Sequence, residues 1–256
     1  MSSSVGPDAD LSLPSARTDD SLLPWRTSHR YGGWMGSERV GLSDAPSGEV
    51  PVVFVHGKGK DADDWKLHIN QFTLNLRAYE PSDLYAITFR DPISRHDDMS
   101  KQLDEFVRNV RRYTGHDRVD VVAHSLGVTG VRYWMHDRDR YDWVRKFVGV
   151  AGANHGIPPL KLVNLKRLDE PERTVSRNLL PPQVNPNGIL STLNRNETPG
   201  DIQYYTIRGQ FDRYFVGNTR SPCLEGAERN IRLFLTHNGV RIHPGAVTRL
   251  YRLLRD

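Results

Sequence analysis

The feature that most restricts the fold is a rhythm that begins at Pro51. Val52 to Val55, Leu84 to Phe89, Val119 to Ala123, Phe147 to Ala151, Gln203 to Ile207 and Ile231 to Leu235 are short apolar runs, rich in β-branched residues and bounded by turn residues. A run that stays apolar at successive positions is buried on both faces, the condition of a strand inside a parallel sheet. Helical periods lie between the runs. Met99, Leu103, Phe106, Val107, Val110 and Tyr113 share one helix face, and Gly115 follows as a stop. Leu67 to Tyr79 and Leu126 to Asp137 also read as helices, and Pro244 to Arg255 gathers Val247, Leu250, Tyr251 and Leu254 on one side. Strands alternating with helices predict an α/β fold: a mostly parallel sheet of about six strands with helices on both faces.

Two stretches stand outside this rhythm. Residues 1–24, rich in Ser, Pro and Asp, read as a disordered tail. Trp25, Tyr31, Trp34 and Met35 are too many large apolar groups for a free tail, so residues 25–42 are expected to pack onto a single domain spanning 25–256. Residues 157–200 hold seven prolines and break the alternation as an inserted loop or candidate lid. Its apolar residues, among them Leu160, Leu162, Val163, Leu165, Leu168, Leu179, Leu180, Ile189 and Leu190, suit either an acyl-binding flap or the core of a small subdomain. A chain of 256 residues buries enough surface to fold without a metal or disulfide staple, and the lone Cys223 forms no intrachain disulfide.

Composition removes several function classes. The net charge is only +4, and its bases are scattered rather than clustered, which argues against nucleic-acid binding. No run approaches the roughly 18 apolar residues of a membrane span. The N-terminal residues show neither a basic n-region nor an apolar h-region, so no secretory leader is read and a cytoplasmic location is the default expectation. Ten histidines and one cysteine give no His-Glu-x-x-His and no Cys-x-x-Cys, so neither a metal nor another cofactor is expected.

The strongest chemical signal is Val121-Val122-Ala123-His124-Ser125-Leu126-Gly127, which ends a predicted strand and opens a predicted helix. That is the context of a nucleophile elbow. A strand that turns sharply into a helix projects the serine hydroxyl above the sheet, and its neighbours two before and two after must be small. Gly127 meets this requirement, and Ala123 adds a single methyl. The elbow's partners follow in the order acid, then histidine. Asp212 follows the strand through Ile207, and His237 follows the strand through Leu235. Both fall at carboxyl ends of strands, where open α/β sheets hold their sites. His243 competes for the base but opens the last helix, and Asp201 and Asp169 fall before a strand or within the inserted loop. A first strand ending in His56-Gly57-Lys58-Gly59 suits an oxyanion loop, with the N–H groups of Lys58 and Leu126 as donors. His56, Gly57, His124, Asn154 and His155 are candidate pocket-lining residues.

At these residues the sequence resembles the class 2 triacylglycerol-lipase group of the α/β-hydrolases, especially its small bacterial lipases, with similarity to polyhydroxyalkanoate depolymerases. The resemblance rests on PVVFVHGKGKDADDW, RVDVVAHSLGVTGVRYWM, VRKFVGVAGANHGI and AERNIRLFLTHNGV. It implies an α/β-hydrolase fold and carboxylic-ester hydrolysis by Ser125, Asp212 and His237 through an acyl-enzyme, without cofactor. It implies a small-molecule or lipid ester as substrate, with contact at a lipid interface, and members that are often secreted. Amide, thioester or polyester cleavage by the same three residues is the alternative, as is a non-catalytic binding protein on this fold. Lys58 stands where the family has an apolar residue, and a cation at the rim would favour acidic or polar substrates.

Overall fold

The computed structural model describes residues 32–35, 47–76, 79–158, 174–175 and 177–256. Among these residues seven strands form one sheet: β1 Gly32–Met35, β2 Val52–Val55, β3 Leu84–Thr88, β4 Val119–His124, β5 Val144–Val150, β6 Gln203–Gly209 and β7 Arg229–Leu233. Their order is β1-β3-β2-β4-β5-β6-β7. The pairs from β3 to β7 are all parallel, as the buried apolar runs require, and only β1 runs antiparallel, against β3. β1, within residues 25–42, adds an edge strand against β3, and the rest of that stretch lies outside the described residues. The tail 1–24 lies outside the described residues.

The order reverses at β2. The chain steps outward from β2 to β3, then crosses back to β4 and continues to β7. Right-handed crossovers therefore put the β2–β3 connection on one face and the later helices on the other. On the later face lie α2 (His96–Thr114) and α3 (Leu126–Asp137), with Gly130 of α3 giving room to Met99 of α2. The β2–β3 connection holds α1 (Lys66–Asn70) inside a longer coil, and the C-terminal α6 (Pro244–Arg255) joins it. The Phe72 and Tyr251 rings sit 5.7 Å apart, and Gln71 Nε2 donates to Thr248 Oγ1 at 3.1 Å. Lys146 of β5, although buried, donates to the carbonyls of Leu253 and Leu254. A cation at these terminal carbonyls complements the helix dipole and holds α6 against the sheet.

α2 shows how local signals set an element. Asp97 and Asp98 occupy its first turn and Arg111 and Arg112 its last, and Gly115 ends it at φ 74°. A left-handed terminal residue costs glycine nothing. The expected helix 67–79 is instead a 3₁₀ turn at Ala62–Trp65, the short α1, and a π turn at Gln71–Asn75. The change of winding keeps Trp65, Ile69 and Phe72 all buried, Trp65 and Phe72 against Phe54 of β2. β4 is buried at every position, and Asp120 within it meets Arg145 through two hydrogen bonds, at 2.5 and 2.9 Å. Among the described residues no helix is long and apolar enough to cross a membrane.

Two further short helices are α4 (Ile189–Leu193) and α5 (Gly239–Ile242). α4 belongs to the 157–200 excursion and buries Leu190 and Leu193. Leu160, Leu162, Val163, Leu165 and Leu168 lie outside the described residues.

Candidate active site

The reversal of strand order at β2 leaves a crevice above the carboxyl ends of β2 and β4. Ser125 lies there, directly after β4, with φ 54° and ψ −120°. A side chain at positive φ costs energy, and the packing around the turn holds it. Ser125 N–H donates to Val150 O at 2.9 Å, and Val128 N–H donates back to Ser125 O at 3.1 Å. A Cβ added at Gly127 would lie 2.5 Å from His56 O, and one at Gly57 would lie 3.0 Å from the Ser125 Cβ. These two glycines let the β2 loop and α3 close on the serine. Ala123, the small residue two before the serine, is fully buried, and its register partner in β5 is Gly149.

Asp212 and His237 come from the ends of β6 and β7. Gln210 N–H donates to Leu233 O at 2.7 Å and Phe211 N–H to Leu235 O at 3.0 Å, which ties the two loops together. Gly209 permits it: a Cβ there would lie 2.4 Å from Leu235 O. Thr236 Oγ1 then accepts from the N–H of Gly239, the first residue of α5, at 3.1 Å. His237 Nδ1 lies 2.6 Å from Asp212 Oδ2, and His237 Nε2 lies 3.0 Å from Ser125 Oγ. Asp212 Oδ1 accepts from Tyr214 N–H at 3.0 Å, so both carboxylate oxygens are engaged. The carboxylate can hold the Nδ1 proton, leaving Nε2 to accept from the hydroxyl. His243, the competing histidine, accepts from Gly245 N–H as the N-cap of α6 and stands exposed.

The His237 ring is held on three sides. Tyr214 meets it edge-on at 4.7 Å, Phe215 at 6.2 Å and His124 at 5.0 Å. His124 Nε2 lies 3.3 Å from His237 O. Burial, with the neighbouring His237 adding to it, lowers the His124 pKa well below the usual histidine range. A neutral His124 can support the backbone of His237 without adding charge beside it.

A pocket of about 480 Å³ opens over these groups. Gly57, Lys58, His124, Ser125, Leu126 and His237 all contribute to its wall. Leu126 opens α3, so its N–H has no acceptor within the helix. Ala151, Ala153, Ile157, Val175 and Leu179 give an apolar side, the last three from the excursion. Sequence reasoning missed Lys60, Val175, Arg213, Tyr214 and Phe215 in this wall. The position of Arg213, Tyr214 and Phe215 directly after Asp212 was the available signal.

Residues 49–166 match the family Lipase (class 2). The chain is class 2 lipase-like. At that level it is a carboxylic ester hydrolase of the lipase/esterase kind. The matched span holds β2 to β5 and the elbow, and it ends before Asp212 and His237. Among solved structures, the mature lipase BlEst2 of Bacillus licheniformis is 17% identical, with a TM-score of 0.64 over 82% of this chain and 94% of that one. A gene product of Listeria innocua is 15% identical, with a TM-score of 0.59 over 81% of this chain and 94% of that one. Lipase B of Aspergillus fumigatus is 16% identical, with a TM-score of 0.60 over 84% of this chain and 54% of that one. At these identities the shared property is the α/β-hydrolase fold.

Three expected pocket residues of this lipase-like hydrolase lie outside the wall. His56 is buried beneath the loop, with Nδ1 2.8 Å from Gly57 O and Nε2 accepting from Phe89 N–H at 3.2 Å. Burial lowers its pKa. Asn154 is a buried strut: its Nδ2 donates to Pro222 O, and its Oδ1 accepts from Arg132. His155 turns away to meet Glu197 Oε1 at 2.7 Å, a hydrogen bond that raises its pKa. In each case the side chain satisfies a local backbone or charge partner, which its sequence position does not reveal.

Proposed function

We propose that the chain hydrolyses carboxylic esters by two-step acyl transfer at Ser125. His237 Nε2 takes the hydroxyl proton as Ser125 Oγ attacks the ester carbonyl carbon. The oxyanion that forms accepts hydrogen bonds from the N–H groups of Lys58 and Leu126. Each such donor is worth about 3 kcal/mol in the transition state. His237 then protonates the departing alkoxide, and the alcohol leaves. Water, deprotonated by the same nitrogen, attacks the acyl-enzyme and releases the acid. Asp212 holds the imidazole in the required tautomer and stabilises the imidazolium.

The observation that carries this reading is the continuous chain from Asp212 Oδ2 through His237 to Ser125 Oγ, with contacts of 2.6 and 3.0 Å at the head of the pocket. The apolar side of the pocket supports an alkyl or acyl chain as the substrate's hydrocarbon arm. The test is hydrolysis of p-nitrophenyl esters from acetyl to palmitoyl by the wild type and by Ser125→Ala. The expected result is turnover that Ser125→Ala abolishes with its circular dichroism unchanged. Equal turnover by both proteins would overturn the assignment of Ser125.

A further inference from the structure

The groups proposed to act together come from distant strands. Lys58 follows β2 and His237 follows β7, and β4, β5 and β6 stand between those strands in the sheet. The His237 segment therefore needs its own tie across the crevice to the β2 side. Its helix α5 has four residues, too few to be stable by itself. Val240 anchors α5 by burying its side chain, but burial has no direction and does not fix the rotation of the turn. Arg241, also on α5 and also buried, makes a directed contact. Its Nη1 donates to Asp64 O, its Nη2 lies 3.4 Å from Asp64 Oδ2, and its guanidinium stands 5.9 Å from the Trp65 ring. Asp64 and Trp65 belong to the 3₁₀ turn that follows the loop of Gly57, Lys58 and Gly59. Asp64 Oδ1 also meets Lys60 Nζ at 3.8 Å, and Lys60 lines the pocket.

A buried ion pair returns little net stability, because both charges must leave water to form it. What it supplies here is geometry. A planar fork that reaches the carbonyl and the carboxylate of one residue fixes rotation as well as distance. We propose that Arg241 is a positioning residue of the acyl-transfer site. With Asp64 it clamps the His237 segment to the turn that returns from the oxyanion loop, so that the base and the Lys58 N–H stay in register over Ser125. His124 Nε2, 3.3 Å from His237 O, steadies the same segment from the elbow side. The purpose of the clamp rests on the ester-hydrolase reading, but the clamp has a readout without turnover, so the two can fail separately.

The experiment compares Arg241→Met, Arg241→Lys and Asp64→Asn with the wild type, and uses Lys146→Met as the control. Lys146 is the buried cation near the amino end of β5 that holds α6, so its loss weakens the fold without touching the site. One readout is kcat and KM on a soluble p-nitrophenyl ester, with kcat counted per site labelled by a fluorophosphonate. The other is the proton signal of His237 Nδ1–H, which its 2.6 Å contact with Asp212 Oδ2 moves downfield of the amides and which His237→Ala identifies by its loss. Arg241→Met and Asp64→Asn should each lose about 10–10²-fold in kcat per labelled site, with KM within about threefold, and should broaden the His237 signal. Arg241→Lys should recover part of the loss, because it restores the charge without the fork. Lys146→Met should melt earlier and keep the wild-type kcat per labelled site. A wild-type kcat with an unchanged His237 signal in Arg241→Met and Asp64→Asn would overturn the proposal, as would an equal loss in Lys146→Met. Should Arg241→Met not fold, Asp64→Asn, which removes the charge and keeps the shape, decides. Should the wild type turn over no ester, the ester-hydrolase reading fails and the His237 signal alone decides: broadened in Asp64→Asn it supports the clamp, unchanged it overturns it.

Discussion

Gly127→Ala tests whether the elbow's close packing is what assembles the site. The added Cβ would lie 2.5 Å from His56 O and 3.1 Å from Val55 O and Val55 Cγ1. His56 cannot yield on its own, because its ring is engaged with Gly57 O and Phe89 N–H. Ordinary contact begins near 3.4 Å, so the start of α3 and the end of β2 must separate by ~0.9 Å. That separation moves Ser125 and the Leu126 N–H away from the Lys58 N–H, the groups proposed to meet one carbonyl. Overpacking of this kind costs about 1–3 kcal/mol of stability, and a misplacement of about 1 Å costs about 10²-fold in rate. The assay is kcat/KM on a soluble p-nitrophenyl ester beside urea denaturation. Gly127→Ala should remain folded, melt earlier and lose about 10²-fold in kcat/KM. Gly59→Ala is the control: it meets nothing within 4 Å, and its φ of +70° costs only about 1–2 kcal/mol of backbone strain. Gly127→Ala with kcat/KM within about threefold of the wild type would refute the reasoning.

Asp212→Asn should lower kcat by about 10³–10⁴-fold, as tautomer loss does in the serine-hydrolase template, with little change in melting temperature. A fall of less than about tenfold would remove Asp212 from its proposed role. Burial lowers the pKa of His68 to about 3 and of His96 to about 4, so both are neutral when folded and take up protons when unfolded below about pH 6.5. Stability should therefore fall as the pH drops below that value, by about 2 kcal/mol per residue at pH 5. Urea titrations at pH 7 and 5 check this, and an unchanged midpoint would contradict it. Arg132, buried in α3, donates to Asn154 Oδ1, Leu193 O and Asn194 Oδ1 and so ties α3 to the end of the excursion. Arg132→Met should cost about 2–4 kcal/mol on denaturation, because its acceptors stay buried and unpaired, and a loss under about 1 kcal/mol would contradict that role.

The parts of the molecule written in local pattern were legible in the sequence. α2, α3 and α6 sit where apolar period and capping residues put them, because burial on one face and a chain stop are local properties. The five inner strands β2 to β6 were readable because parallel strands stay apolar at successive positions. β1 was not, since Gly32-Gly33 has little apolar signal and its pairing with β3 is a tertiary event. β7 lies two residues earlier than its apolar run, because Leu235 leaves the ladder to accept from Phe211 N–H. The elbow was legible from its small neighbours, and Asp212 and His237 from their order after strands. The approach that joins them depends on Gly209, whose role appears only once the Leu235 carbonyl is seen against it. His56, Asn154 and His155 were misread as pocket wall because position after a strand does not fix which way a side chain turns.

The most direct test of the central claim is to trap the acyl-enzyme chemistry on its residue. The protein would be treated with a fluorophosphonate, digested and analysed by mass spectrometry. The account predicts one adduct, on Ser125, with ester hydrolysis lost in proportion to labelling, and no adduct in His237→Ala on the same timescale. Full labelling at another residue, or hydrolysis that survives complete modification of Ser125, would contradict it.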